Sequence, residues 1–212
     1  MSHQKKSIRV LLADDHEMTR RGIGNFLAQA PDIQVVGEAQ DGNEIKQLVA
    51  DLRPQILLLD LIMPNLSPFE LEKWVRTNYP ETITLVLTAH DRDAYLSSMM
   101  DAGVAGYLDK RLRAGQLISA IRRAAHGKYL FSKKQIERAR RWREEVSQKW
   151  ESLSGRQREV LQMLTEGSEN KTIAASLGIT INTVEKHLEN IYRKLGVTSR
   201  TEAVHWWVEK DT

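Results

Sequence analysis

The sequence predicts an α/β domain followed by an all-α domain, and three observations support that reading. Across residues 1–126, five short apolar runs alternate with segments of helical periodicity, the pattern of a parallel sheet covered by helices. The run Ile56-Leu57-Leu58-Leu59 shows no polar alternation, as expected of a strand buried on both faces, and it ends at Asp60. Beyond residue 150 the strand pattern is gone. Two short helical segments flank Gly178, and the second opens on threonine, a helix-turn-helix signature.

Ile8 to Ala13 reads as the first strand. Asp14-Asp15-His16-Glu17 closes it and opens a helix whose N-terminal dipole favours acids. Ile23, Phe26, Leu27 and Ala30 recur at helical spacing until Pro31-Asp32. Ile33 to Ala39 is the second strand, punctuated by Asp41-Gly42, and Ile45, Leu48 and Val49 mark the second helix. The third strand runs from Ile56 toward Met63-Pro64, and Pro68 to Tyr79 is predicted as a helix with Leu71, Trp74 and Val75 on one face. Ile83 to Thr88 gives the fourth strand, Asp91 to Ala102 the fourth helix, and Val104 to Leu108 a short fifth strand. Leu112 to Ala125 completes the alternation.

Lys133 to Trp150 lacks Gly and Pro and is rich in helix formers. Ile136, Ala139, Arg143, Val146, Trp150 and Leu153 follow a spacing of 3 and 4. That spacing fits a short coiled-coil seam or, as adopted here, a surface helix packed on one neighbouring domain. The last domain starts at Ser152-Leu153-Ser154, with a Glu several residues on. Its helices are expected to end at Gly167, Gly178 and Gly196, with Val184, Leu188, Ile191 and Leu195 on the buried face of the third. Ser199 to Val208 forms the fourth. Of Trp206 and Trp207, one is expected in the core and one on a dimer face. The domains are therefore 1–126, a helical connector 127–150, and 151–212.

Charge follows the same division. Residues 1–126 carry 15 Lys and Arg against 16 Asp and Glu, and residues 151–212 carry 8 against 9. Residues 127–150 carry 8 against 3, so the positive balance of the chain comes from the connector, where it suggests a polyanionic partner or a solvated helix face. With no cysteine, disulfides and thiol chemistry are excluded. No apolar run approaches the ~18 residues of a membrane span. Met1-Ser2-His3-Gln4-Lys5-Lys6 has no apolar core behind its lysines and does not read as a signal peptide. A cytoplasmic protein without membrane contact is expected.

Four strand ends carry polar groups: Asp14-Asp15, Asp60, Thr88 and Asp109-Lys110. Open α/β sheets bring such ends to one edge. Three carboxylates there can hold a hard cation such as Mg2+. Asp60, on the central strand, is the candidate nucleophile toward a phosphoryl group, with Lys110 as ion-pair partner and Thr88 as hydroxyl donor. Asp14-Asp15, the apolar run into Asp60 with Met63-Pro64, Thr88-Ala89 and Gly106-Tyr107-Leu108-Asp109-Lys110 together resemble the receiver domain of two-component response regulators. The resemblance implies a flavodoxin-like (βα)5 fold, Mg2+ held by Asp15, Asp60 and the backbone carbonyl of Ile62 with Asp14 beside them, and phosphorylation of Asp60 by a histidine kinase. It also implies that Tyr107 changes rotamer as Thr88 moves; read by itself, Tyr107 is equally a half-buried strand aromatic. The chain departs from the family at Ser67-Pro68, where an Asp-Gly pair is usual. Proline fixes φ where glycine would permit a positive value, so the loop bordering the site is expected to differ.

Leu153-Ser154-Gly155-Arg156-Gln157-Arg158-Glu159, Asn170-Lys171-Thr172-Ile173-Ala174, Thr183-Val184-Glu185-Lys186-His187 and Lys194-Leu195-Gly196-Val197 resemble the four-helix LuxR-type DNA-binding domain. With the receiver, they place the chain among sequences similar to NarL/FixJ-type response regulators. The resemblance implies a recognition helix over Val184 to Lys194, with Lys171, Thr183, Glu185, Lys186, His187, Asn190 and Lys194 as contacts to double-stranded DNA. It implies a homodimer on phosphorylation, with the last helix used in pairing. His187 also reads as a packing residue. Glu185 and Glu189 stand where relatives often carry Lys, Ser or Thr. Acids repel phosphates, yet glutamate can accept from a cytosine amino group, so they either narrow specificity or weaken binding before dimerisation. Arg138, Arg140 and Arg141 of the connector are candidate phosphate contacts.

The function expected is phosphorylation-controlled transcription. A phosphohydrolase using an aspartyl phosphate is disfavoured because the position two beyond Asp60, where its acid/base would stand, is Ile62. A phosphate-independent DNA-binding protein with the receiver as dimer scaffold is the alternative.

Overall fold

The computed structural model describes residues 7–211, so the hexapeptide Met1 to Lys6 lies outside the described residues. The chain divides into two compact units, Met1–Ala139 and Arg140–Thr212.

The first unit is a five-stranded parallel sheet in the order β2-β1-β3-β4-β5, built from β1 (Ile8–Ala13), β2 (Ile33–Ala39), β3 (Ile56–Leu59), β4 (Ile83–Thr88) and β5 (Gly106–Asp109). This is the doubly wound order of flavodoxin-like folds. The helices α1 (Glu17–Ala28), α2 (Gly42–Leu52), α3 (Pro68–Asn78), α4 (Asp93–Ala102) and α5 (Ala114–Ala125) alternate with the strands.

The composition of β3 has a direct structural cause. Leu57 and Leu59 join one core with Ile45 and Val49 of α2, Leu71 and Val75 of α3, and Leu96 and Met99 of α4. Ile56 and Leu58 join the opposite core with Ile23 and Leu27 of α1 and Leu117 and Ile121 of α5. A strand covered on both faces has no place for a polar residue, and each such side chain contributes about 1.5–3 kcal/mol relative to exposure.

Several element ends differ from expectation by about two residues, the usual scatter of helix and strand termini. The fourth helix starts at Asp93, the fifth strand at Gly106 and the fifth helix at Ala114. Phe26, read as a core position, is 45% exposed because the apolar stripe of α1 runs through Ile23 and Leu27. Pro68 sits in the first turn of α3, where its missing N–H breaks no helical bond. Within that loop Asn65 is left-handed, at φ 54°.

α6 (Lys133–Ser152) spans the division between the units. Contrary to the expectation from sequence, its apolar positions do not all serve one neighbour. Ala139 is fully buried in the core of the first unit, Val146 and Trp150 pack on that of the second, and Ile136 is 48% exposed.

The second unit adds α7 (Gly155–Thr165), α8 (Asn170–Leu177), α9 (Ile181–Leu195) and α10 (Arg200–Asp211). Ser154 caps α7 through a reciprocal box with Gln157 rather than with a later Glu. Thr180 caps α9 by accepting from the Thr183 N–H, and Gly178 ends α8 in the left-handed conformation its missing side chain permits. Val184, Leu188, Ile191 and Leu195 face the core as expected. Trp206 is buried there, while Trp207 is half-buried and meets Trp150 edge-on at 5.4 Å between ring centroids.

Candidate functional site

Strand order reverses between β1 and β3, the switch point at whose carboxyl ends doubly wound sheets form their ligand crevice. Asp14 follows β1 and Asp60 follows β3, and the Asp60 N–H donates to the Ala13 carbonyl at 2.9 Å, which fixes the two acids side by side. Asp14 and Asp60 are buried, and Asp15 is partly exposed. Lys110, directly after β5, reaches both: its Nζ lies 2.7 Å from Asp14 Oδ2 and 2.6 Å from Asp60 Oδ2. Burial works against the Lys110 charge, but the bonds from Asp14 and Asp60 outweigh it and hold the ammonium above the ordinary lysine pKa. The second oxygen of Asp60 has only the Ile62 N–H, at 3.5 Å. Ile62 itself is 41% exposed at the mouth of the crevice.

Each of Asp14, Asp15, His16 and Asp60 offers a ligand atom within 4.8 Å of the others. Three of the four donors are carboxylate oxygens, the set that suits a hard divalent cation. His16 was not singled out from sequence; its Nδ1 lies 2.7 Å from Asp15 Oδ1.

Thr88 and Tyr107 stand on the neighbouring strands β4 and β5. The buried Thr88 Oγ1 accepts from the His90 N–H at 3.1 Å, which leaves its own proton to donate. Tyr107 is buried, not half-buried, and its hydroxyl donates to the His90 carbonyl at 2.8 Å. Burial first, and the Asp91 charge second, push the phenol well above its usual pKa, so it remains a donor.

Two supports were missed at the level of sequence. Arg20 of α1 is buried, donates from Nη1 to the Asp14 carbonyl at 2.8 Å, and is held by Glu38 at 2.9 Å. The loop after Asp60 is tied to α2: Gly42 N–H donates to the Pro64 carbonyl at 2.9 Å and Asn65 Nδ2 to Asp41 Oδ2 at 2.6 Å. A Cβ at Gly42 would lie 2.5 Å from the Asn65 carbonyl oxygen. Gly42→Ala is therefore expected to destabilise the protein by about 1 kcal/mol or more, because backbone must move. Urea denaturation checks this, and an unchanged midpoint would show that the loop is not held there.

In the second unit, α9 presents Ile181, Asn182, Glu185, Lys186, Glu189 and Arg193 to solvent. Lys171, Glu185, Lys186 and Glu189 have no side-chain partner among the described residues, and His187 is half-buried. Thr183 is engaged at the cap, with its Oγ1 2.8 Å from Thr180 Oγ1. Asn190 bonds the Lys186 carbonyl and accepts from Arg193, which sequence reading overlooked. Lys194, expected as a groove contact, bonds within the unit: its Nζ reaches the Ser152 carbonyl at 2.5 Å and Gln157 Oε1 at 2.8 Å, joining the end of α9 to the start of α7. Arg138 is likewise engaged, with Asp91 and Asp93, and Arg140 pairs with Glu144, so neither is a free phosphate contact.

The family model described as the response regulator receiver domain matches residues 10–122, and that of the bacterial regulatory proteins of the luxR family matches residues 151–207. The chain is 39% identical over 199 residues to the transcriptional regulatory protein LiaR of Bacillus subtilis, covering 92% of this chain and 94% of that protein. It resembles the crystal structure of ChrA, a response regulator of a heme-sensing two-component system, with 33% identity, TM-score 0.57 and coverage of 97% and 98%. RcsB of Salmonella enterica serovar Typhimurium, bound to the promoter rprA with the phosphomimetic BeF3-, matches at 25% identity and TM-score 0.65, covering 94% of this chain and 99% of that one. Receiver domains bind Mg2+ at an acidic pocket, and the described residues contain such a pocket.

Proposed function

The chain belongs to the response regulators that join a receiver domain to a LuxR-type DNA-binding domain, and from that membership we propose that Asp60 is the phosphoacceptor through which a histidine kinase controls its action as a DNA-binding transcriptional regulator. Members of this family are regulators of transcription, not enzymes. The observation that carries the assignment of Asp60 is the pairing of Lys110 with both Asp14 and Asp60 at the topological switch point.

In the reaction, an Asp60 carboxylate oxygen bonds to phosphorus as the bond from phosphorus to the donor nitrogen of a phosphohistidine breaks. The less encumbered Oδ1 is the attacking atom. Asp14, Asp15, Asp60 and the Ile62 carbonyl would hold Mg2+, and the ion would supply positive charge against the phosphoryl oxygens. Lys110 moves from the carboxylate to the phosphoryl group, and Thr88 donates its hydroxyl to a phosphoryl oxygen. The receiver spans 1–126, the connector 127–150 and the DNA-binding domain 151–212, with Lys171, Glu185, Lys186 and His187 facing the major groove. Phosphorylation favours a homodimer, and the protein works in the cytoplasm.

The test is the intact mass after incubation with Mg2+ and a small phosphodonor. Wild type gains one phosphoryl group and Asp60→Asn gains none. Equal modification of both, or of neither, would overturn the assignment.

A further inference from the structure

The segment after β4 is bonded in two directions. Toward the site, the His90 N–H donates to Thr88 Oγ1 and the His90 carbonyl accepts from the Tyr107 hydroxyl. Away from it, Arg138 of α6 donates from Nη1 to Asp91 Oδ2 at 2.8 Å, from Nε to Asp93 Oδ1 at 2.7 Å and from Nη2 to the Asp91 carbonyl at 3.3 Å. The Arg138 side chain is only 16% exposed. Gln135 Nε2 donates to the Tyr107 carbonyl at 2.7 Å, and Ala139 is fully buried beside them. Residues 135, 138 and 139 fall at i, i+3 and i+4, so one face of α6 holds both the segment 90–93 and the backbone of Tyr107.

We propose that Arg138 is a positioning residue for the phosphorylation switch: its fork on Asp91 and Asp93 holds the 89–93 segment where the Thr88 hydroxyl faces His90 rather than the Asp60 side. The proposal rests on Asp60 being the phosphoacceptor. For Thr88 to donate to a phosphoryl oxygen, its Oγ1 must turn toward Asp60. The His90 N–H is bonded to that oxygen, and Asp91 follows in the chain, so the turn strains the Arg138 fork. Arg138 cannot owe its place to the α4 dipole, because the positive end of that helix repels a cation; the two acids hold it. Coupling of this kind is reciprocal. Loosening the fork must ease occupation of the phosphoryl site, and occupation must loosen the first turns of α6.

Beryllofluoride with Mg2+ is the probe for site occupation, titrated into the full chain. Arg138→Met keeps the apolar stem and removes the fork; the acids left behind are 52% and 42% exposed, so the variant folds without a buried orphan charge. It is expected to bind beryllofluoride about tenfold more tightly than wild type, with Arg138→Lys in between. In wild type, amide exchange over residues 133–139 is expected to accelerate when the probe binds. A merely structural arginine would lower the melting temperature and leave the affinity unchanged; that result, or unaltered exchange, overturns the proposal. Failure of wild type to take up the probe would instead remove the phosphoacceptor assignment beneath it.

Discussion

Lys110→Met is expected to lower the stability of the protein at neutral pH by about 3–5 kcal/mol and to abolish phosphoryl uptake. The lysine is the only cation within reach of both Asp14 and Asp60 among the ion pairs of the described residues, and the two side chains are 2% and 4% exposed. Without it, two buried carboxylates face one another and neither is compensated. In wild type the sign is set by Lys110 itself. Its folded pKa is raised, so its contribution is full below the unfolded lysine value near about 10.4 and is lost as pH rises through the folded one. Denaturation curves from about pH 7 to about pH 11 in buffers of roughly equal ionic strength, with the Mg2+ comparison made at neutral pH, check this. The variant should recover part of its stability with Mg2+, which binds only the folded state, and chelator should reverse the gain. A variant as stable as wild type at neutral pH would mean that Lys110 does not compensate the acids.

Glu72→Met is expected to stabilise the protein at neutral pH by about 1–4 kcal/mol. Glu72 lies on the core side of α3 with no exposed surface, and neither of its carboxyl oxygens has a hydrogen-bond partner among the described residues. Burial raises its pKa; the nearby Thr84 hydroxyl and Arg76 charge offset that only in part. A raised carboxyl pKa means the folded state binds a proton that the unfolded chain has released. Stability is therefore full below the unfolded glutamate value near about 4.3 and falls as pH rises through the folded one. Methionine fills a similar volume without a titrating group, so the variant should be more stable than wild type and its stability should fall less steeply between pH 5 and 8. Urea denaturation across that range is the measurement, and a variant less stable than wild type at pH 7 would sink the idea.

What the sequence made legible follows from range. The strand β3, its terminal acid and the polar ends of its neighbours obey rules that act over a few residues: period, length and position at a strand end. Asp14, Asp60, Thr88 and Lys110 were readable because the doubly wound topology carries each strand end to the same edge. Arg138 was not, because its partners Asp91 and Asp93 lie 47 and 45 residues away, and a linear view of its segment reports only positive charge. The bond from Lys194 to Gln157 was hidden for the same reason, since the two lie 37 residues apart. Glu72 was invisible because an acid beside an apolar stripe ordinarily points to water. The Ser67-Pro68 departure was legible as a difference but not in its outcome: Pro68 opens α3, and the left-handed residue of the loop is Asn65.

The isoleucine and three leucine side chains of β3 that lead into Asp60 are clamped from above and below. A ribbon gripped in this way has no freedom to tilt or slide without opening gaps in two separate layers at once. Charge arriving at its tip therefore cannot be absorbed by the floor of the crevice. A displacement would have to emerge at the rim, in the short connections on either side, rather than in the sheet.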